Sequence, residues 1–411
     1  MKLSILPAVV LLSCLGMQPG FAQSLSSETS DALDYLNELR RQTGLIPFSS
    51  DNILQNAAQG HAEYLVMNKR WGHGQSRSHR GYTGDTPLQR MLNAGYASRH
   101  NSENVSSHSG RATAKKSING LMSAIYHRFG FLSFDYDEIG IGYANDGQFH
   151  SYVYNMGNTN KATLCSAKPE MVTGSYVYKV CSDERRQIPK DVFKAALTDV
   201  QAKNAQVVLW PADNGVGIPP AFYDESPDPL PGYDVSGYPV SVQFNPVYFP
   251  VTAPRVTRFE MYRSSDRSPV EIAANFNQQT DVNRKFSEYE HALFPKYRLD
   301  WNTEYSVEMD YQIGHSDKTQ TLKWSFKTAG FDLPINVVQG GEVIQADAET
   351  LVIYSPPTSA RDASSEYLVS YQGFADVQIV ILDAHTLLVT PIGRRGQAML
   401  EFHNKRFTLV R

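Results

Sequence analysis

The sequence has no excess of positive charge. Its 411 residues include 38 Lys and Arg against 42 Asp and Glu, which gives a formal net charge of −4 and a pI of about 6.3. Proteins that bind nucleic acid need a basic surface to neutralise phosphates, so this balance argues against a nucleic-acid partner. Hydrophobic residues make up 41% of the chain and charged residues 19%. That composition is typical of folded proteins rather than disordered ones, and the length predicts roughly two to four domains.

Long apolar runs are missing after the first few residues, so the sequence predicts no transmembrane segment. Near the start, Lys2 precedes a short apolar run, and small residues occur in Gly20-Phe21-Ala22. This pattern predicts a signal peptide over residues 1–22. The alternative is a lipobox that ends at Cys14, which would become a lipidated first residue. Both interpretations predict an exported protein, either secreted or periplasmic.

Cysteine is scarce. The chain has three cysteines, and Cys14 falls in the export segment. Outside the cytoplasm, the remaining pair of Cys165 and Cys181 predicts a disulfide. A thiolate metal site would need His or further Cys nearby in sequence, and none is there. The disulfide is therefore expected to be structural and to contribute about 3 kcal/mol by restricting the unfolded chain.

Several enzyme motifs are absent from the sequence. It contains no His-Glu-x-x-His, no Gly-x-Ser-x-Gly and no Walker A loop. Histidine, in contrast, is concentrated, because seven of the 11 histidines fall between residues 61 and 150. Imidazole titrates near neutral pH and is a good zinc ligand, so any chemistry is expected in this part of the chain.

Helices come before strands in the first part of the chain. Ser30, Asp51 and Thr86 are suitable N-cap residues for three helices, and apolar spacing predicts a fourth helix over Ala112–His127. Two strands then flank the turn signal Asn145-Asp146-Gly147. This order predicts an α+β domain with helices packed on an antiparallel sheet.

Composition divides the chain further. Residues 26–208 form the α+β domain together with an extension that holds the cysteine pair. Prolines are dense over 209–237, which predicts a stiff linker. Alternating apolar and polar residues predict an immunoglobulin-like β-sandwich over 238–329 and a small β domain over 330–411. A single β domain covering both ranges is the alternative.

A series of landmarks between residues 31 and 157 resembles a known family. The landmarks are Leu36–Arg40, Leu54–Met67, Gly81-Tyr82-Thr83-Gly84 with Pro87 and Arg90, Gly95-Tyr96, Ser102-Glu103-Asn104-Val105, Tyr126-His127-Arg128 and Ile139–Gly142. Their order is similar to that of the CAP superfamily (cysteine-rich secretory proteins, antigen 5 and pathogenesis-related 1), in its bacterial SCP-like extracellular branch. The resemblance implies an α-β-α sandwich with a central groove.

The resemblance also implies a site in that groove, where family members place two histidines with acidic partners and sometimes hold zinc. Glu103 matches the Glu of the family's Glu-Asn step, and His127 matches the His of its His-Arg step. His73 is favoured as the first histidine, and His79 is the alternative. The implied catalytic or binding set is thus His73, Glu103 and His127, with His73 and His127 as ligands for Zn²⁺. The family's second Glu has no match on the helix before His127. Asp135, Asp137 and Glu138 could substitute for it only if the chain after His127 folds back over the groove.

The expected function is that of an exported bacterial protein whose His/Glu groove binds a ligand, such as a lipid, a peptide or an envelope glycan, with a divalent metal. Two alternatives stay open. One is a slow metal-assisted hydrolase, a peptidase or an envelope-acting enzyme, in which Glu103 is the base. The other is an adhesion or scaffold protein that acts through its β domains. The family has no single agreed activity, so the resemblance specifies the fold better than the function.

Overall fold

The computed structural model describes residues 19–110, 112–168, 173–314, 316–346, 350–363 and 366–411. The predicted signal peptide falls largely outside the described residues, and Cys14 falls entirely outside them. Across the described part of the chain, no helix has the length and apolar character that crossing a membrane requires. The predicted α+β class is confirmed, because helices dominate the first half and β-sheets the second.

The first part of the chain places helices on both faces of a four-stranded sheet. Its elements are α1 (Pro19–Gln42), β1 (Ser49–Ser50), α2 (Asn52–Asn68), α3 (Pro87–Asn93), β2 (Ser102–Ser109), α4 (Ala114–Ser123), α5 (Ile125–Phe131), β3 (Glu138–Asn145), β4 (Phe149–Gly157) and α6 (Thr159–Ser166). The strand order is β1-β3-β4-β2, with β1 parallel to β3 and the other neighbours antiparallel.

Alternation along β4 explains the two helical layers. Tyr152 and Tyr154 belong to the core that includes Ile118 of α4, whereas Val153 packs in a separate cluster with Leu65 of α2. Successive side chains of a strand point to opposite faces of its sheet, so one apolar strand can serve both layers. The result is the predicted α-β-α sandwich.

The helix predicted over 112–127 is instead two helices. The chain leaves the helical conformation at Ala124, where ψ is 114°, and α5 begins at the next residue. Ser123 Oγ donates to the carbonyl oxygen of Gly120 at 2.7 Å. Such back-bonding by serine, close to a glycine, weakens the end of a helix. The break gives His127 a place in the first turn of a new helix.

An extension follows α6. It consists of β5 (Tyr176–Val177), β6 (Ile188–Pro189) and α7 (Lys190–Gln201). The predicted disulfide between Cys165 and Cys181 is present and joins the end of α6 to the loop between β5 and β6. Cys165 and Cys181 are both buried, together with Ile188. This small cluster holds the extension against the first part of the chain.

Two four-stranded sheets come next and enclose a common core. Their strands and two short accompanying strands are β7 (Val207–Trp210), β8 (Gly215–Ile218), β9 (Ala221–Phe222), β10 (Ser236–Gly237), β11 (Val240–Phe244), β12 (Arg255–Arg263), β13 (Ile272–Phe276), β14 (Glu290–Pro295), β15 (Glu304–Gln312) and β16 (Thr319–Thr328). The sheet orders are β13-β14-β11-β7 and β12-β15-β16-β8. Phe244, Val307 and Trp324 are buried in the shared core, although an immunoglobulin-like topology stays a prediction.

The proline-rich segment 209–237 differs from the extended linker that its composition predicts. The end of β7 pairs with β11, β8 pairs with β16, and β9 pairs with β10. The prolines of this segment lie between these strands, where the missing N–H removes no ladder hydrogen bond. The segment therefore contributes strands to both sheets of the sandwich.

The last part of the chain forms one further sheet with its own core. Its strands are β17 (Ile335–Val337), β18 (Val343–Gln345), β19 (Leu351–Tyr354), β20 (Tyr367–Asp383), β21 (Thr386–Phe402) and β22 (Lys405–Val410). Leu387, Leu400 and Phe407 are among its buried residues. A buried Arg298 Nη2 donates to Asp383 at 2.8 Å and connects this sheet to the sandwich.

Replacing Gly142 with alanine tests the packing of α2 on β3. A Cβ atom at Gly142 would lie 2.3 Å from the carbonyl carbon of Ala58, so the helix backbone must move. We expect Gly142→Ala to destabilise the first part by about 3 kcal/mol, as overpacking does. Gly120→Ala is the matched control, because a Cβ there meets nothing within 4 Å and alanine favours the helix. Urea unfolding, followed by circular dichroism, measures the stability of both variants. An equal shift of the unfolding midpoint in the two variants would contradict this packing.

Candidate functional site

Glu103 lies at the centre of the first half of the site. It is the second residue of β2, and its side chain is 1% exposed. Arg90 Nη2 donates to both carboxylate oxygens, at 2.8 and 2.7 Å, and His73 Nδ1 lies 2.9 Å from Oε1. Burial alone would raise the pKa of Glu103, but the hydrogen bond from His73 and the nearby Arg90 charge lower it below its ordinary value. Glu103 is therefore an ionised acceptor that orients His73 through Nδ1–H.

A buried network holds the loop that carries His73. His61 Nε2–H donates to the carbonyl oxygen of Gly72 at 3.1 Å, and Gln75 Nε2 donates to His61 Nδ1 at 2.9 Å. The Gln75 Oε1 atom in turn accepts from the backbone N–H of Thr83 at 2.7 Å. These bonds need a neutral His61, and burial lowers the pKa of His61 to about 4. The loop is thus anchored on both sides of His73.

His127 forms the second half of the site, in the first turn of α5. Its Nδ1 lies 2.8 Å from Glu225 Oε1, and the same oxygen accepts from the backbone N–H groups of Tyr126 and His127 at 2.9 and 3.2 Å. The Glu225 side chain is fully buried. Asn104 Nδ2 donates to the carbonyl oxygen of His127 at 2.8 Å. The ring and the backbone of His127 are both held in place.

The structure brings the two imidazoles face to face. The ring centroids of His73 and His127 are 6.2 Å apart, and the planes differ by 13°. Each ring uses Nδ1 for a buried carboxylate, and neither Nε2 atom has a hydrogen-bond partner within the described part of the chain. The side chain of His73 is 43% exposed and that of His127 is 16% exposed. Two oriented ring nitrogens are therefore available to a ligand from solvent.

His79, the alternative first histidine, lies elsewhere. Its Nδ1 is 3.0 Å from the Tyr64 hydroxyl, and the two rings are 6.1 Å apart. Among the described residues, His79 makes no bond to Glu103 or to His127. The structure groups His73, Glu103 and His127 and leaves His79 at the end of α2.

The donor set offers two imidazole ligands for a divalent ion. The Nε2 atoms of His73 and His127 have no hydrogen-bond partner among the described residues. A metal-bound histidine usually donates its other ring N–H to a carboxylate or a carbonyl oxygen, and both rings contact a carboxylate here. Glu225 Oε2 is also a buried polar atom without a hydrogen-bond partner in the described structure. Catalytic zinc sites normally have three protein ligands, however, and this site presents two imidazoles.

Sequence reasoning missed two residues of this site. Arg90 is one of the landmarks of the family resemblance, but the sequence assigns it no role in the site. Glu225 lies 98 residues from His127, in a segment predicted to be a linker. No local motif marks Glu225. The acids at 135–138 bond elsewhere, because Asp137 accepts from Thr159 and Glu138 accepts from Tyr96 at 2.6 Å. Glu225 is instead the acid that contacts His127.

His61 makes the stability of the protein depend on pH. Its pKa is about 4 in the folded state and 6.5 in the unfolded state, so the unfolded chain binds more protons between these values. We expect the stability to fall as pH drops from about 6.5 to about 4, by up to about 3 kcal/mol from this residue.

His61→Gln isolates that contribution, since an amide keeps one donor and one acceptor but does not titrate. The half-buried His108 and the buried His291 also have pKa values that burial lowers to about 4, so the variant and the wild type must be compared at each pH. Chemical unfolding of both proteins between pH 4 and pH 7 measures the difference. Parallel stability curves would contradict the assignment of a neutral His61.

Several solved structures are similar to this chain. They include an extracellular protein containing an SCP domain from Bacillus anthracis str. Ames, with 17% identity over 34% of this chain and 43% of that chain, and a TM-score of 0.29. An outer surface protein from Borrelia burgdorferi has 20% identity over 32% of this chain and 92% of that chain, with a TM-score of 0.28. A cysteine-rich secretory protein from Staphylococcus aureus subsp. aureus Mu50 has 17% identity over 33% of this chain and 40% of that chain, with a TM-score of 0.25. The chain thus spans less than half of the Bacillus anthracis protein.

Similarity at the level of sequence is confined to one part of the chain. No curated protein matches the chain. The sequence model of the CAP family, described as the cysteine-rich secretory protein family, matches residues 33–156. That range contains the α-β-α sandwich and three of the groove residues, His73, Glu103 and His127. Residues 33–156 of this chain are a CAP domain of the cysteine-rich secretory protein family.

Proposed function

We propose that the groove binds a ligand through the paired imidazoles of His73 and His127, with a divalent ion such as Zn²⁺ ligated by their Nε2 atoms. The observation that carries this proposal is that each Nδ1 is held by a buried carboxylate, while neither Nε2 has a hydrogen-bond partner among the residues that the structure describes. A bound divalent ion would polarise a carbonyl or phosphoryl oxygen of the ligand. The protein's own contribution is to aim the two rings at one another.

Glu103 has a positioning role in this proposal. Both of its oxygens accept hydrogen bonds from Arg90, and one also contacts His73. A general base must reach the proton that it abstracts, and it works best with a pKa near the working pH. Glu103 is buried, and both of its oxygens already accept hydrogen bonds, so it does not reach a substrate proton. Its pKa is lowered below the ordinary value of a Glu, away from neutral pH. A hydrolase that uses Glu103 as its base is therefore not supported.

Glu225 provides the second acid of the groove. One oxygen binds His127 and the start of α5, and the other is buried without a described partner. An unpaired carboxylate oxygen in a buried position is costly unless a proton, water or cation satisfies it. This atom is the candidate proton acceptor for whatever the imidazoles bind.

Export is part of the proposed function. The buried Cys165–Cys181 disulfide supports an oxidising location outside the cytoplasm. In the proposal the protein is secreted or periplasmic, and the groove meets a lipid, a peptide or an envelope glycan there. The free imidazole nitrogens and the exposed ring of His73 suit a ligand with an oxygen acceptor or donor.

Calorimetric titration with zinc tests the groove directly. Wild-type protein is expected to bind one ion at the paired imidazoles, counted apart from any ion at Asp362, His385 and His403, whose ligand atoms lie within 4.8 Å of one another. His73→Ala and His127→Ala should each lose the ion at the imidazoles, because a single imidazole cannot hold zinc in competition with water.

His79→Ala is the matched control, because it removes a neighbouring histidine that bonds Tyr64 instead. We expect it to bind zinc as the wild type does. Circular dichroism confirms that each variant is folded. Equal binding by all three variants, or none by the wild type, would contradict the proposal.

A further inference from the structure

A group of exposed side chains surrounds the end of α2, next to the loop that carries His73. Trp71 is 60% exposed and Met67 is 48% exposed. Trp71 rests edge-on against Phe149 with 4.8 Å between ring centroids, and Lys69 Nζ lies 5.5 Å from the same ring. These contacts hold an indole and an ammonium group side by side at the surface.

The following loop adds cations to the same place. Asn68 Nδ2 donates to the carbonyl oxygens of Tyr64 and Arg80, at 2.8 and 2.9 Å, which brings Arg80 back to the end of α2. The set of Met67, Lys69, Arg70, Trp71 and Arg80 is called the basic-aromatic patch below.

The charge of the patch is opposite to that of the whole chain. Between residues 64 and 84 the sequence has four Lys or Arg and no Asp or Glu, whereas the chain carries −4 overall. Lys69 pairs with Asp146, and Arg77 lies 3.4 Å from Asp85. Arg70 and Arg80 are exposed and form no ion pair with any described residue. Two uncompensated positive charges therefore flank the exposed Trp71.

We propose that the basic-aromatic patch docks the protein on an anionic lipid surface. In this arrangement Trp71 and Met67 enter the interface, and Arg70 and Arg80 face the acidic headgroups. Tryptophan favours the boundary between water and lipid, because its ring is apolar and its N–H is polar. Cationic side chains beside it gain from the negative surface potential of the membrane.

A soluble anionic polymer would satisfy the charges of the patch but not its apolar part. Trp71 and Met67 would stay in water on such a partner, whereas a lipid interface takes up both kinds of side chain. His73 lies two residues after Trp71, so docking would place the mouth of the groove beside the lipid headgroups. This inference concerns a surface outside the groove. The protein could therefore fail to bind vesicles and still bind zinc at His73 and His127.

Vesicle binding tests the inference with two independent readouts. The probe is a vesicle of phosphatidylglycerol and phosphatidylcholine in equal parts, compared with pure phosphatidylcholine. We expect the full-length mature protein to sediment with the anionic vesicles and not with the neutral ones. Trp210 and Trp324 are buried and Trp301 is half-buried, so the part of a shift of fluorescence emission to shorter wavelength that Trp71→Ala removes reports Trp71. Trp71→Ala should lose that shift.

Charge variants separate lipid docking from unspecific adsorption. The double variant Arg70→Gln, Arg80→Gln should lower the partition coefficient roughly 20-fold, since each cation near an anionic surface contributes a factor of about five. The double variant Lys203→Gln, Lys318→Gln removes the same charge from exposed positions elsewhere and should bind as the wild type does. Equal binding to neutral vesicles, or an unaffected Arg70→Gln, Arg80→Gln variant, would overturn the proposal. Binding to heparin without binding to vesicles would overturn it as well and would assign the patch to a polymer.

Discussion

The buried carboxylate of Glu225 is the interaction on which the site depends. It comes from the segment after β9, outside the CAP domain, and accepts three hydrogen bonds from the start of α5 and from the His127 ring. A buried carboxylate without partners is strongly unfavourable, so this residue and α5 must hold one another in place. The negative charge also lies where the first N–H groups of a helix need acceptors. The orientation of His127 is therefore set by a part of the chain that follows the family domain.

Neighbouring contacts make the CAP domain and the sandwich one packed unit. Arg128 Nη1 donates to the carbonyl oxygen of Pro239 and to Ser241 Oγ, at 2.8 and 3.1 Å. Ile125 and Phe129 of α5 share a buried cluster with Phe286 of the sandwich. Because α5 is buried against β-strands on this side, displacement of the sandwich would also displace His127. The groove belongs to both parts of the molecule.

The two imidazoles are supported in parallel ways by different elements. Adjacent residues of β2 serve both halves, since Glu103 orients the ring of His73 and Asn104 holds the backbone of His127. Neighbouring residues on a strand point in opposite directions, which explains how one Glu-Asn step reaches both. Each histidine then has one carboxylate on Nδ1, and within the described part of the chain its Nε2 has no hydrogen-bond partner. A carboxylate on one ring nitrogen fixes the tautomer and the orientation of an imidazole toward a ligand at the other nitrogen.

The sequence allowed the CAP fold and part of its site to be predicted, because those features are local. Apolar spacing and alternating strands predicted helices packed on an antiparallel sheet. The order of short motifs resembles the CAP family, and that resemblance implied the α-β-α sandwich and the set of His73, Glu103 and His127. Glu225 has no local pattern and reaches His127 through tertiary packing alone. The break at Ala124 was missed for the same reason, since apolar spacing continues across it while Glu225 caps the new helix. Proline content predicted a linker over 209–237, but strands of two to four residues are too short to leave a periodic signal.

The affinity of Glu225→Gln for zinc tests the central claim most directly, namely that the groove is completed from outside the CAP domain. Loss of a carboxylate that holds a metal-binding histidine typically weakens metal binding about 10- to 100-fold, so we expect a change of that size with the fold retained. Asp224→Asn is the matched control, because it removes a neighbouring acid that is exposed, and it should leave the affinity unchanged. Wild-type affinity in Glu225→Gln, or an equal loss in both variants, would contradict the account.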